Sequence, residues 1–254
     1  MTRPTFHYVP GSPWSFKTMW LLKLHLISLN VKEPIPILTE QLLRFRLKRH
    51  RISFPVLETA TGNYFESFDM AQWAEGRSSS GVRLFPEGYA REIAEWNDKS
   101  DAMLACGRKT LIKNILEQDE VARAAVAALV PPLKYLGPIG PWFVRAIFGQ
   151  INRKYAAVHA ATNIDLCRKT LAELDAAVRQ GNGYVVGGQF TYADITMATA
   201  LSSIDFLQLP WTRSFLTGLP KQSTVIPGLA EQFPQLLAWR TAILEKHFPS
   251  KKPL

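Results

Sequence analysis

The N-terminal part of the chain changes its hydrophobic period several times, and each change marks an element. Thr5 to Val9 is β-prone and is broken by Pro10-Gly11-Ser12-Pro13. Pro13 suits the first position of a helix, with Ser12 as its N-cap. From Trp14, the apolar residues Met19, Trp20, Leu22, Leu24, Leu26 and Ile27 predict a helix to about Leu29, stopped at Asn30. Val31 to Leu38 reads as a second strand, confined to a sheet edge by Pro34 and Pro36. A basic run follows, Arg44, Arg46, Lys48, Arg49, His50 and Arg51, which reads as a surface segment. Phe54 to Leu57 predicts another strand, Thr59 to Asn63 a turn around Gly62, and Tyr64-Phe65 a short partner strand. Glu66 and Ser67 then open a helix through Met70, Trp73 and Ala74.

The stretch from Gly76 to Gly81, GRSSSG, breaks the pattern, and beyond it the periodicity is helical almost throughout. Helices are expected from about Tyr89 to Glu117, from Gln118 to Leu129, and from about Trp142 to Gln180, ending at Gly181-Asn182-Gly183. A proline-rich bend covers Pro131 to Pro141. Gly187 to Asp194 precedes a further apolar helix beginning at Ile195, and Thr191 with Asp194 has capping-box spacing. These signals describe a βαβ…ββα unit over residues 1–77, a linker at 78–87, and an all-α unit over 88–254.

Composition narrows the function classes. The 254 residues are 47% hydrophobic and 20% charged, which excludes disorder and leaves ample material for a core. Cys106 and Cys167 are too few for a disulfide framework, and the five histidines are scattered, so no metal site is expected. The most apolar stretch, Ala124 to Phe148, is cut by Pro131, Pro132, Lys134, Pro138, Pro141 and Arg145 and makes a poor membrane span. No signal peptide pattern opens the chain, and a cytoplasmic location is the expectation. The net charge of +9 points to an anionic partner: a small acid, a nucleic acid or a membrane surface. The basic run lacks the interleaved aromatics of a single-strand groove apart from Phe45, so nucleic acid is not expected.

Three motifs, in order, resemble the glutathione S-transferase superfamily, in its serine-type form and with no class assigned. They are Ser12-Pro13-Trp14-Ser15-Phe16-Lys17, then Phe54-Pro55-Val56-Leu57 with Glu66-Ser67 after a hairpin, then Gly188 to Asp194. The resemblance implies a thioredoxin-like N-terminal domain with a mixed four-stranded sheet, an all-α C-terminal domain, glutathione as co-substrate, and a homodimer. It further implies an enzyme that directs the glutathione thiolate at a hydrophobic electrophile, with aryl-ether cleavage and peroxidase chemistry within its range. The alternatives are a non-catalytic ligandin for hydrophobic or aromatic molecules and an interaction protein that docks through the basic run.

Physical chemistry gives each motif a role. A helix N-terminus favours an anion, and the Ser12 hydroxyl at that cap can donate to a bound thiolate, stabilising it without acting as nucleophile. Ser15 and Tyr8 remain rival donors, Tyr8 otherwise forming a wall of the site. By resemblance, Pro55 is a cis-proline exposing the backbone of Val56 for strand-like pairing with the peptide. Glu66 can pair with the ligand's ammonium, and Ser67 at a helix start can bind its γ-glutamyl carboxylate. Serine-type relatives carry a basic residue two or three positions before the cis-proline; here Ser53 and Ile52 stand there, leaving Arg51 or the 44–49 run as substitutes. The acceptor site is expected between the domains, with Tyr8, Trp14, Trp96 and Arg108 as candidates, and Asp101, Met103, Leu104 and Cys106 beside them. Thr191 and Asp194 are assigned to folding.

Overall fold

The computed structural model describes residues 3–35, 38–129, 134, 135, 137–206 and 215–249. The chain begins β1 (Thr5–His7), α1 (Pro13–Leu24), β2 (Asn30–Lys32), α2 (Leu38–Arg46), β3 (Val56–Thr59), β4 (Gly62–Tyr64) and α3 (Ser67–Glu75). The four strands form one mixed sheet in the order β2-β1-β3-β4, with β1 parallel to β2 and antiparallel to β3, and β3 antiparallel to β4. Helices follow: α4 (Ala90–Glu117), α5 (Asp119–Leu129), α6 (Ile139–Lys154), α7 (Ala156–Ala160), α8 (Ile164–Gln180), α9 (Tyr192–Ala200), α10 (Lys221–Thr224) and α11 (Pro234–His247). This is the sheet unit followed by the helical unit expected from the pattern, and the sheet is the mixed four-stranded one that the resemblance implies. Part of the proline-rich bend, residues 130–133 and 136, lies outside the described residues.

Two elements differ from the sequence reading. Helix α1 stops at Leu24, short of Leu29, because Leu26 takes φ of 57°. The Leu26 amide then bonds the Lys23 carbonyl at 3.1 Å and the Ile27 amide bonds the Leu22 carbonyl at 3.0 Å. That is a Schellman end built on leucine instead of the usual glycine, so no breaker announced it. The second strand is only three residues long, and helix α2 takes in Arg44 and Arg46 of the basic run, with Lys48 to Arg51 beyond its end. Leu43 alone of that helix is buried, while Leu38, Leu42 and Phe45 face solvent, so the inward face left almost no periodic signal.

The core is continuous across the two units. Phe6, Trp20, Leu57 and Met70 from the sheet unit pack in one cluster with Ile93, Leu104, Tyr192 and Leu201. Helix α1 lies against both α3 and α9, so the element that Ser12 caps is clamped from two sides. A second cluster, including Ile112, Ile115, Val126, Val144 and Phe148, joins α4, α5 and α6.

The segment after α3 is held by one carboxylate. Glu75 accepts the Leu84 amide at 3.1 Å on both oxygens and the Phe85 amide at 3.4 Å, and lies 3.1 Å from His25 Nε2. Burial raises the Glu75 carboxyl, but His25 and the two amides outweigh it and hold the group below its ordinary value. A depressed folded pKa means stability present above the unfolded value near 4.3 and lost as the pH falls through the folded value. Glu75→Gln is therefore expected to cost about 1–2 kcal/mol at pH 7. Its deficit against the parent protein should shrink below about pH 4, read from urea midpoints across that range.

Candidate functional site

The strand register gathers the three N-terminal motifs at one end of the sheet. His7, the last residue of β1, pairs with Val56, the first of β3. Tyr64, the last of β4, pairs with Leu57. The chain therefore delivers Ser12 from the end of β1, the Phe54-Pro55 approach from the start of β3, and Glu66-Ser67 from the end of β4, all on the same side. The β3–β4 ladder begins at Leu57, so β4 does not cover the edge of β3 at Val56.

Ser12 caps α1 in extended backbone, φ −79° and ψ 120°, with Pro13 in the first turn. Its Oγ accepts the Ser15 amide at a long 3.4 Å, which leaves the hydroxyl hydrogen uncommitted. Ser15 is different: it is fully buried, and its Oγ accepts the Val9 amide at 3.1 Å. Tyr8 is buried beside Phe6, and burial together with the Glu33 carboxylate pushes its phenol up to about 12.

Phe54-Pro55 is a cis peptide bond. Glu66 holds the N-cap position of α3 in extended backbone, and its side chain makes no capping bond. Partial burial, then Asp101 and Asp69, raise its carboxyl above the ordinary value, while Lys17 opposes them. Ser67 opens α3 and is buried, and the Tyr192 hydroxyl is buried without a hydrogen-bond partner among the described residues.

A buried lysine that sequence reasoning left aside ties this end to the helical unit. Lys17 is fully buried, and its ammonium donates to Asp101 Oδ1 at 2.8 Å, Asn97 Oδ1 at 3.0 Å and Thr196 Oγ1 at 3.1 Å. Three donors meet three acceptors, which is what allows an ammonium to stay inside. Burial lowers its pKa, and Asp101 works against that. Thr196 passes its hydroxyl hydrogen to Ser100 at 2.8 Å, and Ser100 donates to the Thr196 carbonyl at 2.9 Å. Asp101 also accepts Trp14 Nε1 at 2.8 Å and Asn97 Nδ2 at 3.1 Å. Helix α1 is thus locked to α4 and α9 within its first two turns.

Next to that lock, Arg108 of α4 lies between two aromatic rings. Its guanidinium carbon is 4.7 Å from the Trp14 ring centroid and 3.7 Å from that of Tyr155. The Tyr155 hydroxyl donates to Ser53 Oγ at 2.9 Å, and Lys154 donates to the Ile52 carbonyl at 2.5 Å and to Glu40 at 2.8 Å. Trp14, Asp101, Arg108 and Tyr155 are all half-buried where α1 meets α4 and the α6–α7 junction. Trp96 does not join them: it is buried in the main core with Lys99 over its ring, and Lys99 pairs with Glu173 on α8. Cys106 likewise faces Cys167 of α8.

Arg51 is exposed, one residue before the carbonyl that Lys154 holds. Within the basic run, Arg46 pairs with Glu58, which also receives His7, and Arg49 lies over the Phe65 ring at 4.2 Å. Lys154 and Tyr155 reach the loop before Pro55 from a hundred residues away, so no local motif could reveal them. Among the described residues, no group of His, Cys, Asp and Glu could hold a metal, and no helix is long and apolar enough to cross a membrane.

A mixed four-stranded sheet unit followed by a helical unit defines a class of fold that comparison makes specific. Residues 156–242 match the model for "Glutathione S-transferase, C-terminal domain". A glutathione S-transferase from Methylobacillus flagellatus with glutathione bound superposes with a TM-score of 0.55 at 16% identity, covering 99% of this chain and 100% of that one. A glutathione transferase homolog from Drosophila mojavensis with bound glutathione gives 0.60 at 17% identity, covering 96% and 89%. A third, from Methylobacterium radiotolerans in complex with glutathione sulfonate, gives 0.57 at 16%, covering 100% and 98%. No curated protein sequence matches. The chain has the glutathione S-transferase fold, which bears out the superfamily resemblance with its class unassigned.

Proposed function

We propose that the protein is a glutathione transferase-like enzyme that holds glutathione across the end of the sheet and directs its thiolate at an electrophile in the cleft between the units. The observation that carries this reading is the convergence of Ser12, the Val56 edge and Glu66-Ser67 on one strand end. There the uncommitted Ser12 hydroxyl donates to the thiolate, and the N-terminus of α1 adds its partial positive charge. Lowering the thiol pKa raises the nucleophile's concentration at neutral pH; the carbon–sulfur bond then forms as the leaving group departs. The peptide backbone pairs with Val56 as an added strand. Ser67 binds the γ-glutamyl carboxylate at the start of α3, and Glu66 pairs with the ammonium. Lys154 and Arg51 stand beside the loop before Pro55, where the glycyl carboxylate of an extended peptide would arrive.

Calorimetry with glutathione tests this. Sub-millimolar to millimolar binding is expected, weakened roughly 10-fold in Glu66→Gln through loss of a charge-assisted hydrogen bond. Absence of binding at millimolar concentration would sink both the reading and its residue roles. A ligandin without catalysis would instead bind aromatic molecules and show no conjugation of a chloronitrobenzene above the uncatalysed rate.

A further inference from the structure

Arg108 is a desolvated cation without an anionic partner. Its guanidinium lies over two aromatic rings, those of Trp14 and Tyr155. Its Nε donates to His159 Nε2 at 3.2 Å, and the other ring nitrogen of His159 faces Asn152 Oδ1 at 3.1 Å. That pair of contacts fixes His159 as the neutral tautomer, protonated on Nδ1. Burial, then Arg108 and Lys109, push its pKa down to about 4, so it brings no charge of either sign at neutral pH. The nearest carboxylate on the same helix, Asp101, is taken up by Lys17, Trp14 and Asn97. Among the described residues, the Nη atoms of Arg108 have no hydrogen-bond partner.

A guanidinium held over two rings and by Nε is restricted in orientation, and its Nη edge is left for binding. That edge matches a planar oxyanion bidentately, a geometry an ammonium cannot offer. Resting on the transferase reading of the same cleft, we propose that Arg108 anchors an acidic acceptor, an electrophile carrying a carboxylate on an apolar or aromatic body. The glutathione carboxylates have other hosts, the start of α3 and the loop flanked by Lys154 and Arg51. Arg108 lies over the Trp14 ring, two residues on from Ser12, and the anchor is proposed on the acceptor side.

The test pairs two electrophiles of one shape, 4-chloro-3,5-dinitrobenzoate and its carboxamide, each rate divided by its uncatalysed rate with glutathione. In either reaction the thiolate sulfur bonds to the ring carbon, chloride leaves with the bonding pair, and the thiol proton goes to solvent. The unmodified protein should favour the benzoate. Arg108→Met should lower kcat/KM for the benzoate roughly 10- to 100-fold, the equivalent of one or two charge-assisted hydrogen bonds, and leave the carboxamide and the glutathione KM within a few-fold. Arg108→Lys, which keeps the charge and loses the fork, should fall between them. No benzoate preference in the unmodified protein, an equal loss on both acceptors, or a rise confined to the glutathione KM overturns the proposal.

Calorimetry with unreactive 3-nitrobenzoate and 3-nitrobenzamide in the absence of glutathione separates this from the transferase reading. Benzoate binding lost in both variants supports the anchor even where no conjugation is seen. Equal binding of acid and amide overturns it even where conjugation is robust.

Discussion

Ser12→Ala is expected to lower kcat for conjugation about 100-fold while leaving the glutathione KM within a few-fold. The magnitude is that of removing one preorganised donor from a developing or resident anion. The geometry supports a loss in the chemical step and not in binding. Ser12 Oγ makes only one long contact, accepting from the Ser15 amide at 3.4 Å, so its hydrogen is free to meet a thiolate. The binding groups proposed for the peptide, at Val56, Glu66 and Ser67, are on other elements. The pH dependence of kcat/KM is the decisive reading, because the apparent thiol pKa should rise in the variant toward that of a free thiol. Loss of the cap costs about 1 kcal/mol as well, which a folded protein tolerates. An unchanged rate would move the donor elsewhere. Ser15 is poorly placed for that, since it is fully buried and occupied by the Val9 amide. Tyr8, its phenol held protonated by burial and Glu33, would then be the next donor to replace.

What the sequence revealed and what it hid follow from how local each signal is. Ser12-Pro13, Phe54-Pro55, Glu66-Ser67 and the Thr191/Asp194 box are short-range capping and strand-start chemistry, and each has its expected place in the structure. Long amphipathic helices such as α4 and α8 were equally plain, because their buried faces repeat over several turns. Helix α2 was hidden because its outward face carries Leu38, Leu42 and Phe45, which inverts the usual relation between apolar residues and burial. The cleft was legible only in part. Spacing along their own helices points to Trp14 and Arg108, but their partners Tyr155 and His159 come from the α6–α7 junction and from α7. Trp96 shares a helix with Arg108 yet points to α8, a difference of face that one-dimensional spacing does not resolve without knowing which neighbour lies where. Nothing local in the sequence marks Lys17 as buried; only the meeting of α1 with α4 and α9 makes it a buried ion held by three acceptors.

The largest stability effect is expected from Asp194→Ala, at about 3 kcal/mol at pH 7. Asp194 is fully buried, and its Oδ2 accepts the Thr191 amide at 2.7 Å and the Thr191 hydroxyl at 3.1 Å, while Oδ1 accepts the Val185 amide at 2.9 Å. Truncation leaves two backbone donors unsatisfied in the core and removes the cap of α9, each a cost of roughly 1–2 kcal/mol that partial relaxation reduces. Because α9 holds Thr196 against Lys17, the loss should propagate to the lock on α1 and lower activity along with stability. The pH dependence carries a sign that a generic core defect lacks. Burial raises the Asp194 carboxyl to about 6 against the pull of its donors. A folded pKa above the unfolded value, near 3.9, means that this group's contribution is full below the unfolded value and is lost as the pH rises through the folded one. The gap between parent and variant should therefore be wider at pH 4 than at pH 7, measured as the difference in urea midpoints at equal m-values. A gap that narrows toward acid would show that the carboxylate form is the one the fold prefers, and would assign the stabilisation to the three donors over the burial they share.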